Sequence, residues 1–220
     1  MELFTALGLS SASGLNAYIP MLVFGLLARF TSVITLPQAW QWLSDPILLG
    51  IVAVLLVIEI VADKVPAVDT INDAIQTVIR PTSGGLMFAS GLNSATGENG
   101  VEQLTTSEAF RQPSTWIALV VGFAVALGIH FFKSSSRPVW NASTVGLAAP
   151  VVSTGEDAVA AALSFSAVLV PVVALLLVAA LVGLIIWFFV KVRKRFARSS
   201  SVARVDQRSQ GNLAFRGKER

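Results

Sequence analysis

Apolar residues in this chain do not alternate with polar ones; they come in long runs separated by short polar clusters. Long runs predict helices rather than strands. A helix needs about 20 mainly apolar residues to cross a hydrocarbon core. Residues 3–28 form a first candidate span, with the small-residue patch "GLSSASGLNAYIP" inside it. Residues 47–62 form a second, somewhat short, and residues 116–132 a third. A longer apolar region over 145–190 has Pro171 in its middle. As one helix it would reach about 69 Å, more than twice the core thickness, so it predicts two crossings that meet in a very tight turn near Pro171.

Residues 66–93 follow a different pattern. Val68, Ile71, Ile75 and Val78 share one helical face, while Asp69, Asp73, Gln76 and Arg80 share the other. Pro66 suits a first helical turn, the aspartates lie near the positive end of the helix, and Arg80 near the negative end. Residues 66–80 therefore read as an amphipathic helix. "PTSGGLMFASGLN" after it is apolar, short and glycine-rich, and reads as a broken or re-entrant segment. The fold class expected is an all-α integral membrane bundle of five to six transmembrane helices with broken or re-entrant segments.

Composition agrees with that reading. Hydrophobic residues make up 54% and charged residues 13%, with a mean hydropathy of +0.72, against about a quarter charged in soluble domains. The absence of cysteine excludes disulfides and thiolate metal sites, and the single His130 argues against a histidine-based one, so no cofactor is expected. "MELFTALG" lacks the basic region of a secretory signal, so the first apolar segment is expected to be retained. Residues 1–190 read as the transmembrane domain. Residues 191–220 read as a disordered cytoplasmic tail with ten Lys/Arg against two Asp/Glu, attracted to anionic lipid. Nothing folded or aromatic in it supports nucleic-acid recognition.

Basic residues favour the cytoplasmic side. With the tail inside, Lys64, Arg80, Lys133 and Arg137 also fall inside. The polar loop over 94–112, with Glu98, Glu102 and Glu108 against Arg111, falls outside, and only Arg29 violates the rule. This places both termini in the cytoplasm. A duplication is also suggested: Lys64 precedes Pro81 by 17 residues and Lys133 precedes Pro150 by 17, marking units 47–85 and 115–155. Each unit would carry one helix break, at "RPTSGG" and at "APVVSTGED". Transporter folds place such breaks at their sites; small residues at breaks also serve close packing.

Charge within a bilayer costs at least ~2.5 kcal/mol at a helix centre, so such residues are paired or functional. Glu59 lies one turn before Asp63 on the same face of an apolar segment. The candidates for a polar site or transport path are Glu59, Asp63, Lys64, Asp69, Asp73, Arg80, Glu156 and Asp157. A purely structural reading stands beside this: a mutually compensated cluster, with Glu156 and Asp157 marking only the start of a helix. His130 reads as an interfacial residue. No phosphate-cradling loop, metal-ligand spacing or catalytic triad is present, so no catalytic residue is assigned. The leading functional expectation is a small transporter or channel for an ion or small solute. A membrane scaffold or assembly factor is the alternative, and an enzyme acting on lipid head groups a weaker one.

The stretches "SGLNAYIPMLVFGLLARF", "EIVADKVPAVDTINDAIQTVIRP" and "GLAAPVVS…ED" resemble a bacterial multi-pass membrane family catalogued as domain of unknown function 4126. The most specific part is the pattern made by Ala62, Asp63, Lys64, Pro66, Asp69, Asp73, Thr77, Arg80 and Pro81. The resemblance implies a membrane fold over about residues 3–190 and carries no activity and no functional residues.

Overall fold

The computed structural model describes residues 1–64, 66–96, 105–144 and 149–191, without the side chains of 66, 67, 69, 70, 95, 96, 137–144 and 149. The elements are α1 (Glu2–Leu15), α2 (Tyr18–Phe30), β1 (Ile34–Thr35), a 3-10 helix (Gln38–Ser44), α3 (Pro46–Ala62), α4 (Pro66–Asn93), β2 (Ala95–Thr96), α5 (Thr106–Ala109), α6 (Pro113–Thr144) and α7 (Ala149–Leu169). A last helix, α8, covers Pro171–Lys191. Met1–Val178 form one compact unit and Ala179–Arg220 a second; the site lies wholly in the first. The expected disordered tail falls, beyond Lys191, outside the described residues.

α1 is the axis of the first unit. Nearly every residue from Thr5 to Leu15 is buried, against α4, α6 and α7. It runs antiparallel to α4: Ala6 lies beside Gly91, and Ser83 Oγ donates to Ala17 O and lies 3.4 Å from Ser13 Oγ. α2 then turns back. Tyr18 packs with Val52 and Leu56 of α3 and Ile79 of α4, Gly25 lies against Leu43 and Leu49, and Arg29 donates to Ser44 O. The outer ends of α1 and α2 therefore lie at the same end of the bundle as the start of α3 and the end of α4.

That end is aromatic. Trp40 is buried, its ring 5.8 Å from Phe110 and 6.4 Å from Trp42, and Trp116 Nε1 donates to Phe110 O. Such girdles suit a membrane–water boundary. The antiparallel pairing of Ile34 with Thr96 and Thr35 with Ala95 ties the loops together there. Asp45 caps α3 ahead of Pro46, and a Thr105–Glu108 capping box starts α5.

Residues 3–28 thus do not form the single long helix that their hydropathy predicts; they make a helical hairpin with its tip at 15–17. Each arm is only about 20 Å long, short of a 30 Å core. Asn16 stops α1 in an extended conformation and caps α2, accepting from the backbone N–H of Tyr18 and Ile19.

The expected break at "RPTSGG" is the converse case. α4 runs unbroken through Pro81 to Asn93. Proline removes one backbone donor, and flanking hydroxyls bond to the backbone of the same helix: Thr77 donates to Asp73 O and Thr82 to Val78 O. Gly84, Gly85 and Gly122 serve close packing of α4 on α6. A Cβ on Gly84 would collide with Ala126, and one on Gly122 with Phe88.

The break expected in "APVVSTGED" is also absent, because α7 is helical from Ala149 and places Glu156 and Asp157 two turns inside rather than at its start. Pro81 lies mid-helix and Pro150 in a first turn, so the two Lys–Pro units differ in structure and lend no support to a duplication.

The turn at Pro171 does form. Ala167 and Ala174 lie 2.7 and 3.1 Å from the position a Cβ would take on Gly8. Seven residues of straight helix would separate them by about 10 Å, so the chain bends sharply at Val170.

The all-α class holds apart from the two-residue strands. Among the described residues three helices are long and apolar enough to span a membrane: Pro113–Ser136, Pro150–Leu169 and Pro171–Lys191. A fourth joins them if the 3-10 helix and α3, bent by 52°, count as one span. The five to six crossings expected are not reached on length and composition. α4 is long enough at 28 residues but carries too much polarity for that test.

Candidate functional site

α4 explains where the charges go. Its apolar residues Val68, Ile71, Ile75 and Val78 are exposed, while Gln76 and Arg80 on the opposite face are buried. In water the apolar face would turn inward; here the polar face does, as in a helix whose surroundings are oily. α3 repeats the arrangement, with Ile47, Ile51, Val54 and Ile58 outward and Glu59 buried.

The inward faces meet at the hairpin tip. Arg80 is fully buried and reaches Glu59 Oε1 from Nη2 at 2.8 Å and from Nε at 3.3 Å. Its Nη2 also lies 3.5 Å from Asp63 Oδ2. Lys133 of α6, equally buried, donates to Asp63 Oδ2 at 3.0 Å and to the Leu15 carbonyl at 3.0 Å, and lies 3.1 Å from Glu156 Oε2. The Leu15 carbonyl is one of those freed where α1 ends. A lysine there also complements the negative end of the α1 dipole. Asn16 donates to Asp157 Oδ1 at 2.9 Å, so the tip is tied to α6 and α7 together.

His130 joins Arg80 to α4's polar face. Arg80 Nη1 can only donate, so His130 Nδ1 accepts it, at 3.3 Å. The remaining ring proton then sits on Nε2 and is donated to Thr77 Oγ1 at 3.0 Å, while Thr77 donates onward to Asp73 O. Ser134 Oγ contacts Asp73 Oδ2 at 3.3 Å, and Asn72 donates to Asp63 Oδ1 at 2.6 Å.

The cluster lies deep and opens on one side. Arg80 stands 13 residues before the end of α4 and Glu59 13 after the start of α3, about 20 Å in from the aromatic end. Toward that end the α1–α4–α6 contacts are closed by glycine, alanine and serine. Toward the other end the side chains are partly exposed: Lys64 at 33%, Asp157 at 14% and Glu156 at 15%. Lys64 Nζ is 3.9 Å from Asp157 Oδ2, a looser contact at the mouth.

Of the eight residues that sequence reasoning singled out, Glu59, Asp63, Arg80 and Glu156 meet in the centre. Lys64 and Asp157 form the mouth, and Asp73 flanks His130. The side chain of Asp69 lies outside the described residues, as does that of Arg137. His130, expected at an interface, is instead buried at the centre. Lys133, Asn16, Gln76 and Thr77 were not among the candidates. Lys133 and His130 share a helix face in an apolar segment, a signal as strong as the one that pointed to Glu59. Among the described residues no group of three or more acids and histidines could hold a metal ion.

The family described as Domain of unknown function (DUF4126) matches residues 3–191. No curated protein and no solved structure matches the chain.

Proposed function

The chain belongs to the DUF4126 family, whose description names no activity, and we propose from geometry alone that it is a small membrane transporter or channel for an ion or small solute. One observation carries the reading: a re-entrant hairpin delivers its tip to a buried ionic cluster that is open toward one end. Half-helix ends and freed carbonyls are how transporters build sites near the bilayer middle. The cluster and its mouth bring five carboxylates against three cations, counting Glu59, Asp63, Asp73, Glu156 and Asp157 with Lys64, Arg80 and Lys133. Excess negative charge suits a cationic species or a proton. From the tip toward the aromatic end a seam of buried hydroxyls, Ser13, Ser83, Ser10 and Thr5, follows α1 and bonds to backbone carbonyls within the closed contacts.

Orientation follows from the basic residues. The mouth with Lys64 and Lys133 faces the cytoplasm, as do the tail and its anionic-lipid contacts. Because the hairpin returns to its own side, the amino terminus then lies outside, not in the cytoplasm with the tail. A bacterial inner membrane is the setting proposed.

A specific observation also favours a scaffold: the buried charges largely satisfy one another, as a purely structural network would. Flux separates the two. The purified chain is reconstituted in liposomes, and uptake of monovalent cations, protons and small anions is followed. Wild-type flux that drops at least about tenfold, or ~1.4 kcal/mol of barrier, in Glu156→Gln supports transport through the mouth. No flux of any species, with Arg80→Ala merely unstable, supports the scaffold.

A further inference from the structure

The Glu59–Arg80 pair is lopsided. An arginine–carboxylate pair commonly uses both oxygens, one N–H to each. Here Nε and Nη2 of Arg80 both donate to Oε1. Oε2 is buried and has no hydrogen-bond partner. On the same wall Gln76, one turn before Arg80 on α4, is also buried, and its amide oxygen likewise lacks a donor. Tyr18 of α2 stands near both: its phenol neighbours the Gln76 side chain and lies within the electrostatic reach of Glu59 and Arg80. Two buried acceptors without donors, both near the Tyr18 phenol, call for something that donates.

Chemistry narrows what that is. A bound divalent cation takes about six or more oxygens, and this wall has two bare oxygens and a phenol. A proton needs one. Loading it on Oε2 breaks no existing bond, because both arginine contacts lie on Oε1, and the unpartnered Gln76 amide oxygen is the acceptor assigned to the new O–H, directly or across one water. The charges around Glu59 tolerate both states. Arg80 from α4 keeps Asp63 as a second carboxylate, Lys133 from α6 is held by Asp63 and Glu156, and His130 accepts from Arg80 as a neutral ring.

We propose that Glu59 is a site of reversible protonation, with the proton carried on Oε2 against the wall formed by Gln76 and Tyr18. The site stands on geometry alone; only its role as the coupling site of a proton-linked transporter rests on the transport reading above.

Infrared titration of the full chain in lipid tests it without any flux. On acidification a protonated-carboxyl C=O band is expected to appear, to be missing in Glu59→Gln, and to shift in Gln76→Leu as its hydrogen-bond acceptor is lost. An identical band in Glu59→Gln, or no titrating carboxyl band in the wild type, overturns the proposal. Should Glu59→Gln fail to fold, Gln76→Leu decides: an unshifted band overturns the proposal and a shifted one upholds it. A titrating Glu59 in a protein without flux refutes the transport reading and leaves the proton site standing.

Discussion

Arg80 touches Glu59, Asp63 and His130 from a fully buried position. Removing one partner of a buried ion pair leaves charge stranded in a medium that cannot solvate it. Arg80→Ala should therefore cost about 3–5 kcal/mol, read as a lowered unfolding midpoint in mild detergent. Arg80→Lys keeps the charge but loses the planar fork and should fall between the two. The double variant Arg80→Met with Glu59→Leu should recover much of the loss, since apolar replacement of a whole buried pair is often neutral. A double variant no better than Arg80→Ala would mean that Arg80 mainly serves Asp63 and His130. Glu59, Asp63 and Arg80 were legible as sequence because a charge inside an apolar run has no cheap explanation. Asn16 was not, because a lone amide among serines and glycines is equally at home in a continuous helix.

At the scale of elements, α4 and α7 overturned the breaks expected at "RPTSGG" and "APVVSTGED", while the turn at Pro171 formed. The break came where a side chain could cap a new helix, at Asn16, and not where proline stood, at Pro81. The glycines of α4 and α6 are consequently packing residues. Gly84→Ala and Gly122→Ala should each cost about 1–3 kcal/mol by overpacking, because the added methyl meets Ala126 or Phe88. Gly128→Ala on the open face of α6 meets nothing within 4 Å and should be neutral or stabilising by about 0.5–1 kcal/mol. Thermal unfolding of the three variants side by side checks both halves. Equal effects at all three positions would show that helix propensity, not the α4–α6 contact, governs these sites.

For the molecule as a whole, the orientation proposed above predicts the side on which the amino terminus emerges. The chain has no cysteine, so single cysteines can report sidedness without background. Glu2→Cys and Ser107→Cys should react with a membrane-impermeant thiol reagent from one face of oriented vesicles, and Ser200→Cys only from the other. Glu2 labelling together with Ser200 would return residues 3–28 to a full crossing and remove the hairpin. The same cysteine approach tests the outward face of α4: a nitroxide at Val78 or Ile71 should be accessible to lipid-dissolved oxygen and shielded from an aqueous relaxant.

Much of this was decided by composition and period. Runs of apolar residues too long for anything but oil determined helices of membrane length, and the one-sided placement of Asp73, Gln76 and Arg80 determined which face of α4 had to be covered. These are local properties, readable wherever the residues are neighbours in sequence. The convergence of Glu59, Arg80, His130, Lys133 and Glu156 was decided only by the tertiary fold, because four helices had to bring together side chains as far as 97 residues apart. The turn at Asn16 belongs there too: it is stabilised by Asp157 and Lys133, partners that exist only once α6 and α7 have packed around it.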